Sequence, residues 1–148
     1  RSVGRVYYKE AADSIRESKQ KIVSTFKNTV SRLAKLGLIP SALVIVFAPI
    51  LIKWFLGDEW TVAGTFMQIM MPWIFFQFVN MPVSTTFSVV NRQGIGFLLI
   101  VISVLVRYAV MYYWHETAII QITALSIVAS LFYITYTVSS YLAIKEIK

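Results

Sequence analysis

Between Phe97 and Trp114 the only charged residue is Arg107, set in a run of Leu, Ile and Val. A cation in mid-membrane costs about 2.5–3.5 kcal/mol on insertion scales, so its retention calls for a purpose. It stands seven residues before Trp114, about 10 Å below the outer end of a helix rising about 1.5 Å per residue. Ser103, one turn earlier, shares its face. Two readings stand at this point. The guanidinium either snorkels outward or pairs with another helix, or it lines a path for an anionic substrate such as a phosphate-linked head group. A second polar set lies upstream. At about 100° per residue from Gln77, the side chains of Asn80, Ser84, Ser88 and Asn91 fall near 300°, 340°, 20° and 320°, one narrow stripe. Amides do not face lipid cheaply, so this stripe faces other helices or a wet cavity. Helix–helix packing and a lined cavity both fit, and the large amides beside a proline suit a cavity or a hinge. Thr123, Ser126, Ser130 and Thr137 make a similar stripe further on, flanked by Tyr133 and Tyr141; small hydroxyl residues of this kind commonly join helices in bilayers.

No catalytic constellation accompanies these groups. The chain has no cysteine and one histidine, His115, so disulfides, thiolate metal sites and a histidine-built metal centre are not expected. Gly94-Ile95-Gly96 lacks the third glycine of a nucleotide loop. A non-enzyme without metal or cofactor is the expectation.

The elements that must position these residues follow from hydropathy. Of 148 residues, 57% are hydrophobic and 14% charged, against about 25% charged in soluble domains. The first 35 residues hold nine of the fourteen Lys and Arg. Along this head Ile15, Ile22, Phe26, Val30 and Leu33, and Gly37 just beyond it, recur at helical spacing opposite a basic face. That predicts an amphipathic cytoplasmic connecting helix over residues 1–35, either packed on its own protein or lying in an anionic leaflet. The four-helix transmembrane region, 36–148, follows, with spans at about 36–56, 62–90, 95–114 and 118–144, each near the ~20 apolar residues that cross a bilayer. Pro40 falls at the start of the first span. Pro49, Pro72 and Pro82 are the hinge candidates. Gly57 ends the first span, with Asp58 or Thr61 as the next cap; Asn91–Gly94 and His115–Glu116 turn the chain, and Thr117 caps the fourth span. The predicted fold is therefore an all-α integral membrane protein, part of a larger helical transporter bundle, since four helices seldom make a whole transporter and Arg1 opens the sequence without an initiator Met.

Charge placement sets an expected orientation. Twelve basic residues lie in the head, the 91–94 turn and the tail, against Lys53 alone on the other side. The positive-inside rule then puts both ends in the cytoplasm. The net charge of +7 belongs to the membrane surface, and nucleic acid is not an expected partner.

The run from Leu51 to Trp60 (LIKWFLGDEW), then Ala63-Gly64 and Pro72-Trp73, resembles the carboxy-terminal half of bacterial polysaccharide and O-antigen flippases, of the multidrug/oligosaccharidyl-lipid/polysaccharide exporter superfamily. Gly57, Trp60 and Gly64 carry its structural motif. Pro82, Arg92-Gln93 and the opening Arg5-Val-Tyr-Tyr8 also match. The resemblance implies a fragment holding the last four of about twelve or more helices, with the amino-terminal lobe of the same protein as its missing partner. It implies translocation of an undecaprenyl-pyrophosphate-linked oligosaccharide, a lipopolysaccharide or surface-polysaccharide precursor, across the bacterial inner membrane. Arg107, Gln77, Asn80, Ser84 and Ser103 are the substrate-cavity candidates. The alternatives are a drug exporter or peptidoglycan-lipid flippase of the same superfamily, or a membrane assembly subunit without transport. A cationic-drug exporter would be expected to carry buried carboxylates, which the spans lack.

Overall fold

The computed structural model describes residues 3–114 and 117–146; His115, Glu116, Arg1 and Lys148 lie outside them. The chain folds as α1 (Val3–Glu17), α2 (Lys19–Leu56), a single 3-10 turn (Asp58–Trp60), α3 (Thr61–Val83), α4 (Thr86–Val89), α5 (Gln93–Tyr113) and α6 (Ala118–Lys145). Among the described residues there is no strand. The stretches Lys19–Leu56, Asp58–Val89, Gln93–Tyr113 and Ala118–Lys145 are long and apolar enough to cross a membrane. Their outward faces are unburied: Leu105 is 63% exposed and Leu131 57%. Such continuous apolar surface belongs in lipid. The fold is an all-α membrane protein.

The break in the basic head comes at Ser18, and the boundary expected at residue 35 is no helix end. Nothing around residue 35 interrupts a helix, so α2 runs straight through and Pro40 lies in its interior rather than at a first turn. Ser18 is extended (φ −168°, ψ 154°), and its side chain accepts from the Lys21 N–H at 3.2 Å, the usual way a serine starts a helix. The bend lets α1 pack back on α2 and α3. The apolar stripe of the head then faces protein. Ile22 and Phe26 are buried with Tyr7, Ala11, Val83 and Ile144 in one core cluster.

Tyr7 secures this end. It is 2% exposed, and its hydroxyl lies 2.7 Å from the Thr86 hydroxyl, itself fully buried. Burial pushes the Tyr7 phenol up to about 12, with the Thr86 hydrogen bond pulling the other way. The neutral phenol is the form that folds, so this stabilisation is complete below about pH 10 and lost as pH climbs toward 12. In detergent, the wild-type protein should lose more stability between pH 10 and 12 than Tyr7→Phe, by about 2–3 kcal/mol. Matching pH profiles from paired thermal melts would refute the assignment. At the same end Arg92 pairs with Glu146, and Lys27 and Lys145 both lie over Tyr141. The head, the 91–94 turn and the end of α6 thus gather together. At the opposite end Lys53 Nζ meets Asp58 Oδ1 at 2.7 Å.

The α2–α3 contact is built around Pro49. A proline has no N–H to give the carbonyl four residues back, here Ile45. The Gln68 side-chain Nε2 of α3 donates to that Ile45 oxygen instead. One turn earlier on α3, Gly64 lies so close that a Cβ would stand 2.5 Å from Pro49 Cα. Gly64 admits the approach and Gln68 fills the vacancy. Gln68→Leu should therefore cost about 1 kcal/mol in thermal unfolding, and much less in a Pro49→Ala background, where the restored N–H serves Ile45. Equal losses in both backgrounds would show that the two residues are uncoupled.

Gly57 closes α2 at φ 96°, ψ 173°, with its N–H bonded to Lys53 O; that combination is essentially confined to glycine. Neither Asp58 nor Thr61 caps α3 with its side chain as expected. Asp58 is turned to Lys53, and the Thr61 hydroxyl donates to the Asp58 carbonyl at 2.8 Å. Thr117 does cap α6, accepting from the Ile120 N–H at 3.3 Å. Trp60 is 55% exposed at this end, a place suited to an interfacial indole.

The second span is interrupted. α3 ends at Val83, directly after Pro82, and α4 resumes at Thr86. The Ser84 and Thr85 hydroxyls donate back to the carbonyls of Met81 and Pro82 at 2.8 and 3.2 Å, competing with the helical ladder. Asn91 then turns the chain at φ 56°, a left-handed conformation that asparagine tolerates.

Candidate functional site

α3 and α5 each pack on α6 and stand apart from one another. The space between them is a cavity of about 320 Å³, lined from α3 and the turn after it by Gln77, Asn80 and Ser84, from α5 by Ser103 and Arg107, and from α6 by Phe132, Tyr133 and Tyr136. All five cavity candidates from the sequence line this one space. Ser88 and Asn91 do not: the lining on this side ends at Ser84, with Ser88 further along in α4 and Asn91 in the left-handed turn after it.

The polar wall is fixed by hydrogen bonds between helices. Asn80 is 3% exposed, and its Nδ2 donates to Thr137 Oγ1 at 2.9 Å; that hydroxyl donates in turn to the Tyr133 carbonyl at 2.8 Å. The Tyr136 hydroxyl donates to the Ser84 carbonyl at 3.3 Å, reaching the backbone that the interruption leaves open. Further along, Ser126 Oγ donates to Ile69 O at 2.6 Å, so part of the α6 hydroxyl stripe joins α6 to α3. Asn80 thus serves packing and cavity lining at once, while Gln77 is exposed.

Arg107 neither snorkels outward nor pairs with a carboxylate. Gln121 Nε2 donates to Met111 O, and Gly96 lies against Tyr136. On that antiparallel register Arg107 is level with Leu125 of α6. Its guanidinium carbon nevertheless lies 5.5 Å from the ring centre of Phe132 and 5.8 Å from that of Tyr133, and 5.4 Å from Trp73 of α3. It reaches back toward the middle of the bundle. The direction is the natural one, since helical side chains lean toward the helix N-terminus, which for α5 is the Gln93 end. Three aromatic faces attract the cation, yet Nε and Nη2 are buried without a hydrogen-bond partner, as is Trp73 Nε1. None of the three ion pairs among the described residues includes Arg107, and no carboxylate lines the cavity.

A half-buried guanidinium with unpartnered donors, at the edge of a largely apolar cavity that Gln77, Asn80, Ser84 and Ser103 also line, is equipped to receive an anion. Among the described residues no group of three His, Cys, Asp or Glu side chains is placed to hold a metal. Trp73, Phe132 and Tyr133 as walls around the cation, and Gln68 as partner to the Pro49 kink, are the contributions that the sequence reading missed.

A protein-family model described as MatE matches residues 16–113, well over half of the chain's 148 residues. The chain belongs to the MatE family. MatE proteins are membrane transporters of the same flippase superfamily that the Leu51–Gly64 and Pro72-Trp73 motifs resemble. The matched stretch of this MatE chain contains Gln77, Asn80, Ser84, Ser103 and Arg107, while the α6 wall lies beyond it. Neither a curated protein nor a solved structure matches the chain.

Proposed function

We propose that this MatE chain forms the carboxy-terminal part of a flippase for a lipid-linked oligosaccharide, carrying an anionic undecaprenyl-pyrophosphate-type head group past Arg107. The observation that supports this reading is the pair of unpartnered guanidinium nitrogens beside a cavity that Gln77, Asn80, Ser84 and Ser103 line and no carboxylate does. A pyrophosphate accepts hydrogen bonds from such donors in planar pairs, and Gln77, Asn80 and Ser84 suit sugar hydroxyls. A carrier of organic cations would set a positive substrate against a positive wall. In this reading the basic ends face the cytoplasm of a bacterial cell, as the charge distribution favours. An amino-terminal lobe supplies the opposite wall, and the two lobes rock against each other to open the cavity to each leaflet in turn.

The test uses the full-length protein in a strain that depends on it for surface glycan. Accumulation of lipid-linked oligosaccharide in the inner leaflet upon depletion, with unchanged drug sensitivity, is the expected result. Drug hypersensitivity with normal glycan would reverse the assignment. Cysteine placed at Gln77 should react with a water-soluble thiol reagent from one side of the membrane, and competition by substrate should slow it. An inert cysteine there would mean a dry, packed space.

A further inference from the structure

At the basic end of the bundle two lysines from different helices converge on one ring. The Lys145 ammonium lies 4.9 Å from the ring centre of Tyr141, and that of Lys27, on α2, lies 5.5 Å from it. Neither lysine enters the ion pairs found among the described residues. Together with Lys19 and Ser24 they border a hollow of about 410 Å³. A second hollow of about 450 Å³ begins at the same Lys27 and continues between α2 and α6, walled by Phe26, Val30, Val138 and Tyr141. No carboxylate lines either space. Phe26, Val83 and Ile144 share one core cluster, so the lysines lie level with the ends of α3 and α6.

We infer that this α2–α6 seam binds one anionic glycerophospholipid, its phosphate between the Lys27 and Lys145 ammoniums and an acyl chain along the apolar groove. Two like charges drawn to one ring repel each other and favour a shared counter-charge. Basic pockets between spanning helices are suited to anionic head groups. The apolar groove that shares Lys27 with the basic hollow selects a lipid over a soluble phosphate, which would leave that groove unfilled. Tyr141, between the two lysines, can donate its hydroxyl to the phosphate. The site is separate from the Arg107 cavity and owes nothing to the identity of the transported substrate.

The full-length protein, delipidated in detergent, is titrated with dioleoyl phosphatidylglycerol or dioleoyl phosphatidylcholine and the bound lipid is counted by native mass spectrometry. One phosphatidylglycerol should be retained in clear preference to phosphatidylcholine. Lys27→Gln with Lys145→Gln should weaken retention about thirtyfold, a surface charge being worth about fivefold. The Lys27→Arg and Lys145→Arg pair should retain the lipid, as should a Lys9→Gln and Lys35→Gln control. Undiminished phosphatidylglycerol in the glutamine pair would overturn the inference, as would equal binding of phosphatidylcholine. Displacement by millimolar inorganic phosphate would overturn it in favour of a soluble anion. The exchanged lysines are exposed, and matched melting curves across the variants confirm that loss of lipid is not loss of fold.

Discussion

Gly64→Val should prevent the α2–α3 pair from forming, and with it the stable protein. A Cβ at this position would lie 2.5 Å from Pro49 Cα, 2.8 Å from Pro49 N and 3.0 Å from the Ala48 carbonyl carbon. These are backbone atoms that cannot rotate away, so the helices must separate. Separation also withdraws Gln68 from the Ile45 carbonyl, leaving a polar group unpartnered in lipid. Overpacking alone costs about 1–3 kcal/mol, so Gly64→Ala should lower the melting point in detergent and Gly64→Val should leave little monodisperse protein. Gly94 is the control, because nothing lies within 4 Å of a Cβ there; Gly94→Ala should be neutral or mildly stabilising. A Gly64→Val protein melting with the wild type would mean that the two helices do not meet closely.

Arg107→Met should make the protein more stable and less active. Methionine fills much of the same volume and offers no donors, so it removes two buried nitrogens without partners. Relief of such groups is worth about 1–3 kcal/mol, offset in part by the lost attraction to Trp73, Phe132 and Tyr133. Transport of an anionic lipid-linked glycan should fall at least about tenfold, one charge-assisted contact being worth about 1.5–3 kcal/mol. Arg107→Lys should fall between, since an ammonium keeps the charge and loses the planar fork. Thermal melts and a transport assay on the same preparations decide the matter. Wild-type transport by Arg107→Met would reduce Arg107 to a packing residue, and a lowered melting point would show that the aromatic faces outweigh the unmet donors.

The spans were legible because hydropathy over a run of some twenty residues depends on composition alone. The convergence of Gln77, Asn80 and Ser84 was legible too, since a helix fixes their bearing before any partner is known. That projection does not reach beyond Ser84, because a bearing round a helix does not say how far along it a cavity runs, and Asn91 leaves the helix at φ 56°. The head was misjudged for a related reason. Its apolar residues share one stripe on either side of Ser18, and periodicity cannot tell a straight helix from two folded together. The direction of Arg107 was available from the sequence, because side chains lean toward the start of their helix, which is away from Trp114. Its aromatic surroundings were not, for Trp73, Phe132 and Tyr133 come from two other helices and meet only through packing.

The oxygen at Ile45 constrains motion as well as stability. Slipping α2 past α3 by a single turn would carry the Gly64 notch off the Pro49 bulge and leave the carbonyl bare in oil, so sliding between these two helices is opposed. α5 has no such latch: it packs chiefly on α6 and stands apart from α3. Arg107 stands on α5, so the room beside its guanidinium is set by how far α5 lies from α3.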